Sequence, residues 1–289
     1  MAVVMRSPEP GGLDAVIDEL ASWQDDHAPL QLHPGDIGWA LRQGREAVAC
    51  SLRTWADQCG ETVAIGMLEG PELLRLAIRP DLQSHHATAQ GLAQVVARRG
   101  RGALLSDAAA IELPTGAVLD DLLAEDGWIA DEPWVPLQRD LRQPPPAPDL
   151  RIEVVGPESA AARVRVHRES FGSVSTFTDQ AWRILHSDPV YRRARCLLGI
   201  AEDGTAVAAT TVWSAGTGRP GLIEPLGVSA EHRGHGFGAA IARAAMAVLR
   251  DLGSSGAQVC TPSSNRAGVA AYLSAGFSAR PERRDRRRD

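Results

Sequence analysis

The chain contains no lysine; all 30 of its basic residues are arginine. A Walker A loop, the phosphate-binding lysine of a protein kinase, a pyridoxal Schiff base and a Ser–Lys catalytic pair all need that missing amine, so these chemistries are excluded. Aromatic residues are scarce at 4%, which leaves the core to aliphatic side chains. The four cysteines, Cys50, Cys59, Cys196 and Cys260, form no CxxC pair. They read as reduced thiols of a cytoplasmic protein, with no metal site expected. No apolar run approaches the roughly 18–20 residues that span a bilayer, and no basic flank leads into an apolar N-terminal run. Neither a membrane nor secretion is expected. Excess positive charge is also lacking: the net charge is −6, so nucleic acid is not an expected partner.

What the sequence does have is length and punctuation. At roughly 100–200 residues per domain, 289 residues suggest two domains. Hydrophobic residues at 44% and charged residues at 23% fit a globular protein. The boundary is marked by Pro144-Pro145-Pro146-Ala147-Pro148, which suits neither a helix nor a central strand. The expected division is 1–142, a linker at 143–148, and 149–289. The last stretch, Arg280–Asp289, with six arginines and three acids, reads as a solvated tail.

In the second half, strands are expected over Leu150–Val155, Ala194–Ala201, Ala206–Trp213, Leu222–Val228 and Ala257–Thr261. Helices are expected over Ser159–Phe171, Thr178–His186, Phe237–Leu252 and Asn265–Ala275. The first half follows a similar plan: strands at Ser51–Asp57, Val63–Leu68, Leu73–Ile78 and Ala103–Ser106, and helices at Gly91–Arg99 and Gly116–Ala124. Leu76–Asp81 matches Leu226–Glu231 at an offset of 150, and Gly127-Trp128 matches Gly276-Phe277 at 149. The shared offset points to a duplicated domain. The fold class is α/β with a mixed sheet, present twice.

The chemistry concentrates in Arg233-Gly234-His235-Gly236-Phe237-Gly238-Ala239, followed by an amphipathic helix. Glycines let backbone amides approach an anion, and a helix N-terminus adds open donors and partial positive charge; together these suit a pyrophosphate. The spacing is GxGxG, not the GxGxxG of dinucleotide sites.

This segment resembles the coenzyme A signature Q/R-x-x-G-x-G/A of the GCN5-related N-acetyltransferase (GNAT) family, with Arg233, Gly236 and Gly238 in the defining positions. Downstream, Asn265–Phe277 resembles that family's N-x-x-A-x-x-x-Y-x-x-x-G-F, with Gly268 in place of Ala. The resemblance implies two tandem GNAT-like domains, each a mixed, mostly antiparallel splayed sheet flanked by helices. It implies acetyl-CoA as the cofactor and a small-molecule amine as the partner. The expected reaction is direct acetyl transfer in a ternary complex, by a monomer or homodimer. Leu226, Gly227 and Val228 would offer main-chain groups to the pantetheine arm where the fourth and fifth strands part, which also makes room for Pro225. Tyr272 takes the position of the general acid. Asn265 is placed to bond the pantetheine, or simply to cap its helix.

Glu224, the carboxylate of that strand, is the candidate base, or a solvent-facing strand residue. His235 and its neighbour His232 read as surface or phosphate contacts. Phe171, Phe177 and Trp182 would line the acceptor side. At the equivalent of the glycine turn, the first half reads Asp81–Gln90 without a glycine, and its Gly116–Ala124 helix lacks a tyrosine. It is expected to be a degenerate copy. The alternatives are acetylation of a cysteinyl sugar, as in the tandem-domain mycothiol synthases, and a non-catalytic acyl-CoA sensor.

Overall fold

In the computed structural model, which describes residues 2–96, 104 and 109–288, the elements follow one another as β1 (Val4–Arg6), α1 (Leu13–Ser22), α2 (Pro34–Ala40), α3 (Arg45–Ser51), β2 (Leu52–Ala56), β3 (Thr62–Glu69), β4 (Leu73–Ile78), α4 (His86–Val96), β5 (Ala109–Glu112), α5 (Val118–Glu125) and β6 (Ile129–Asp140). Then come β7 (Arg151–Val154), α6 (Ala160–Phe171), α7 (Asp179–Ser187), β8 (Ala194–Ile200), β9 (Ala206–Trp213), β10 (Gly221–Val228), α8 (Phe237–Asp251), β11 (Gly256–Pro262), α9 (Arg266–Ala275), β12 (Ser278–Ala279) and β13 (Arg283–Arg288). The expected α/β class with mixed sheets is what forms. The strand expected over Ala103–Ser106 falls, apart from Leu104, outside the described residues. Among the described residues no helix is long and apolar enough to cross a membrane.

The chain forms two compact units, and neither is a contiguous half. One takes Met1–Ile37, Arg45–Trp134 and Glu282–Asp289; the other takes Gly38–Gly44 and Val135–Pro281. In the first unit the strand order is β1-β2-β3-β4-β5-β13, followed by the start of β6. Trp55, Leu74, Leu76, Leu92 and Ile111 lie at the centre of its core. In the second unit the order is the end of β6, then β11-β10-β9-β8-β7, with β12 on the side of β6. Val212, Ile223, Met246, Leu249 and Val259 pack between this sheet and α8. Each unit therefore takes the strand beside its parallel pair from the far side of the proline run.

The arginine-rich C-terminus is not a solvated tail. It forms β13, antiparallel to β5 through Arg286↔Ile111 and Arg288↔Ala109 and to β6 through Arg283↔Trp134 and Arg287↔Ile129. Pairing on both edges satisfies its main chain, and its side chains find partners that are distant in sequence. Arg286 bonds both oxygens of Asp120 at 2.7 and 3.0 Å, and Arg288 lies over the Trp128 ring at 4.6 Å. Arg283, 5% exposed, pairs with Glu112 at 3.2 Å and Asp285 at 2.9 Å. Local composition hid this outcome because Asp120 and Glu112 lie far back in the chain.

Arg75 completes this buried ionic group, 3.0 Å from Asp36 and 2.8 Å from Glu112. Burial outweighs Arg75 and pushes Asp36 up to about 6. Burial and the Glu112 charge push Asp285 up to about 6 as well. For Glu112, burial is overcome by Arg75 and Arg283, which hold it down at about 2. A raised folded-state pKa gives stability at low pH that fades as pH climbs through 6. A depressed one gives stability that fades as pH drops from about 4.5 toward 2. The first unit should therefore melt at a higher temperature near pH 5 than near pH 7.5. Calorimetric Tm values that stay level from pH 5 to 7.5 would contradict this.

Candidate active site

The site begins where two parallel strands separate. β10 pairs with β11 only at Gly221↔Ala257 and Leu222↔Gln258, yet the strands continue to Val228 and Pro262. From Ile223 onward β11 gives β10 no partner. On its other edge β10 stays on β9, at Leu226↔Thr210, Gly227↔Ala209 and Val228↔Ala208, after an irregularity between Ile223 and Leu226. Pro225, which lacks an N–H, sits in that irregularity behind a cis Glu224–Pro225 bond. Side chains of β9 replace the missing ladder bonds. Trp213 Nε1 donates to the Glu224 carbonyl at 2.9 Å, and Thr210 Oγ1 donates to the Pro225 carbonyl at 3.0 Å. This fixes the backbone from which Glu224 projects.

The chain then turns into α8. Gly234 and Gly236 hold φ of 84° and 83°, the left-handed region that disfavours a side chain. No side chain caps α8, so by helix geometry the first-turn amides of Phe237, Gly238 and Ala239 are free to take an external acceptor. A Cβ on Gly234 or Gly236 would meet nothing within 4 Å, so the need there is conformational. Gly238 differs: its Cβ would come within 3.2 Å of Ala271 Cβ and 3.7 Å of Val228 Cγ2. Its smallness lets α9 approach α8. The side chain of Arg233 reaches back, bonding the Ser170 carbonyl at 2.8 Å and the Val228 carbonyl at 3.4 Å. The His235 ring stacks on Phe237 at 6.0 Å, and its Nδ1 lies 3.0 Å from the Arg233 carbonyl.

Tyr272 projects from α9 and is 7% exposed, with its ring edge-on to Phe277 at 5.5 Å. Burial, joined by the negative charge of Glu224, pushes its phenol well above the ordinary range. The structure thus brings the two expected catalytic residues within electrostatic reach and keeps the phenol protonated. Asn265 is an N-cap: its Oδ1 accepts from Gly268 N at 3.1 Å, and its Nδ2 donates to Thr261 Oγ1 at 3.0 Å. Gly268, where the resembled motif has Ala, leaves room for that folded side chain; a Cβ there would collide with Asn265 Nδ2.

Of the three aromatic residues expected near the acceptor, Phe171 is 37% exposed, while Phe177 and Trp182 are interior at 2% and 1%. Trp182 stacks on His186 at 4.6 Å. Phe171 and Ser170 cover Gly227, where a Cβ would lie 3.1 Å from Phe171 Cε2. Phe177 packs at 5.0 Å against both Trp39 and His167, and 5.3 Å from the Arg163 guanidinium.

Sequence reasoning did not single out Trp39, Arg163 or His167. Trp39 belongs to Gly38–Gly44, which packs in the second unit with Gly38 against the Trp213 ring, a tertiary contact without a local signal. The other two carried one. The buried residues of α6 include Ala160, Arg163, Val164 and His167, spaced i, i+3, i+4 and i+7, so two polar residues occupy the apolar stripe.

Residues 163–277 match the family described as "Acetyltransferase (GNAT) family". Solved structures share the fold over nearly the whole chain. An acetyltransferase from the GNAT family of Colwellia psychrerythraea is 14% identical with TM-score 0.64, covering 99% of each chain. A tandem GNAT protein from the clavulanic acid biosynthesis pathway is 15% identical with TM-score 0.60, covering 99% of this chain and 98% of the other. A GCN5-related N-acetyltransferase from Sphaerobacter thermophilus is 18% identical with TM-score 0.56, covering 99% and 95%. No curated protein sequence matches.

Proposed function

Residues 163–277 form a domain of the GNAT acetyltransferase family, and from that premise we propose that the protein transfers an acetyl group from acetyl-CoA to the amine of a small molecule, by direct attack, in its second unit alone. The observation that carries this reading is the early parting of β10 from β11 beside an uncapped helix N-terminus. An anionic, amide-bearing ligand fits such a gap. Main-chain groups of Leu226, Gly227 and Val228 can bond its amides as an added strand would. The amides of Phe237, Gly238 and Ala239 can hold its diphosphate, with Arg233, Gly234, His235 and Gly236 shaping the turn.

The cofactor supplies an acetyl group activated as a thioester. Glu224 takes the proton of the attacking amine, directly or through water. Tyr272 Oη, protonated at neutral pH, gives a proton to the departing sulfur. A carboxylate beside a phenol that it helps to keep protonated suits one base and one acid. Asn265 shapes the start of α9 and holds Tyr272 in line.

The first unit parts less: on the β5 side β4 is left open only from Leu76 to Ile78, and the Ile78 amide is taken by Gln31 Oε1 at 3.1 Å. Its parallel pair runs through Leu73↔Ala110 and Leu74↔Ile111 to Arg75↔Glu112, where the 2.8 Å ion pair joins the strands. At the repeat offset, Arg75 corresponds to Pro225, a position at which β10 has already left β11. The turn at Asp81–Gln90 also has no glycine. Calorimetric titration with acetyl-CoA should therefore give one site per chain; two would refute a single working unit.

The activity is tested by following free-thiol release from acetyl-CoA across a panel of amines that includes a cysteinyl amino sugar. Amine-dependent release supports transfer, and release confined to the amino sugar points to the mycothiol-synthase-like variant. Tight coenzyme binding without release on any amine would overturn the transferase reading in favour of a sensor.

A further inference from the structure

Arg163 is a buried cation without an anion. It lies on the inner face of α6 and is 0% exposed. Its Nη2 reaches Thr211 Oγ1 at 3.3 Å, while Nε and Nη1 have no partner. The groups that oppose the effect of burial on its charge are Cys196, whose thiol is also a hydrogen-bond partner, and Tyr191, neither of them a carboxylate. The protein treats a structural buried arginine differently: Arg283 has both Glu112 and Asp285. A fully desolvated guanidinium with open donors is costly unless something else completes it.

The surroundings suggest what that is. His167, one helical turn on, also has a buried Nδ1 without a partner. Burial, with the charges of Arg163 and Arg42, pulls this imidazole down to about 3, so it is neutral and adds no competing charge. Trp39 and Phe177 pack against it at 5.6 and 5.0 Å, and Phe171 at 4.6 Å. Phe177 closes over Arg163 from the end of a loop whose Val174 is 79% exposed, so the cover is a surface loop. Thr211, which holds Arg163, and Trp213, which holds the Glu224 carbonyl, point to the same face of β9 two residues apart. That spacing is about 6.6–6.8 Å.

We propose that Arg163 anchors a carboxylate of the acceptor, whose amine then lies near Glu224, so that the substrate is an amino acid whose amine and acid are separated by a short aliphatic chain. This rests on the proposed acetyl transfer and specifies its substrate class. No change in the acetyl-transfer chemistry is involved; the residue sets specificity.

The test uses the full chain saturated with coenzyme A and titrated calorimetrically with 5-aminopentanoate or 5-aminopentanamide, alongside rates of thiol release from acetyl-CoA. The acid should bind at least about tenfold more tightly than the amide, and its KM should be lower by a similar factor. In Arg163→Met that preference should vanish while coenzyme affinity holds, and Arg163→Lys should restore part of it. Met fills the space without leaving a buried charge, so the variant is expected to fold. Equal binding of acid and amide, a preference that survives in Arg163→Met, or coenzyme binding with no affinity for either amine would overturn the assignment. A chain that binds no coenzyme would overturn the transferase reading itself, and this inference with it.

Discussion

Tyr272→Phe should lower kcat by about 100-fold or more, the usual contribution of a positioned general acid, and leave the acetyl-CoA Kd within about twofold. At 1.36 kcal/mol per factor of ten, this is about 2.7 kcal/mol of lost transition-state stabilisation. The substitution removes one oxygen. Phe retains the ring that packs edge-on to Phe277, 5.5 Å away, and leaves no cavity between α9 and the sheet. Tyr272 is buried, and the Glu224 charge beside it disfavours phenolate, so the native side chain has its proton to give at neutral pH. Stopped-flow and steady-state rates, with coenzyme affinity measured in parallel, check this. A variant as fast as the native protein would remove Tyr272 from the acid role. A loss confined to coenzyme affinity would make it a packing residue.

Gly236→Val should weaken coenzyme binding by at least tenfold, about 1.4 kcal/mol, and lower the melting temperature through a backbone strain of about 1–2 kcal/mol. The cause is conformational. Gly236 sits at φ 83°, which a β-branched residue adopts only under strain, while a Cβ there would meet no protein atom within 4 Å. To relieve that strain the turn must re-aim the amides of Phe237, Gly238 and Ala239. Gly238→Ala is the informative contrast. Its Cβ would press on Ala271 at 3.2 Å, so it should cost stability through the α8–α9 contact. Calorimetric Kd values and melting curves on both variants separate the effects. Unchanged affinity in Gly236→Val would place the diphosphate elsewhere.

Local patterning made much of the second unit readable. The amphipathic run after the glycine turn marked α8, the expected strands Ala194–Ala201 and Ala206–Trp213 formed as β8 and β9, and the expected last helix formed as α9, which Gly276 ends in a left-handed cap. Tyr272 and Glu224 were singled out by motif position and by an acid among apolar neighbours, and the fold places the Glu224 charge within reach of the Tyr272 phenol. Two expectations shifted in meaning. Gly238 serves helix packing as well as the turn, and Asn265 spends both ends of its amide on its own helix and Thr261. At Arg280–Asp289 the reading failed, because charge density argued for solvent while the partners Asp120, Glu112 and Trp128 lie far back in the sequence.

The sequence alone determined what depends on neighbours a few residues apart: the main helices and strands of the second unit, the glycine turn before α8 and the absence of that turn from the first half, whereas β1, α1 to α3, β6 and β13 were not read from it. The tertiary structure decided which strand stands beside which, where the parallel pairs part, and which buried charges are answered. Those outcomes depend on groups from tens to more than a hundred residues apart meeting in a low-dielectric interior, where a carboxylate beside Arg283 and none beside Arg163 give the same residue type two different roles.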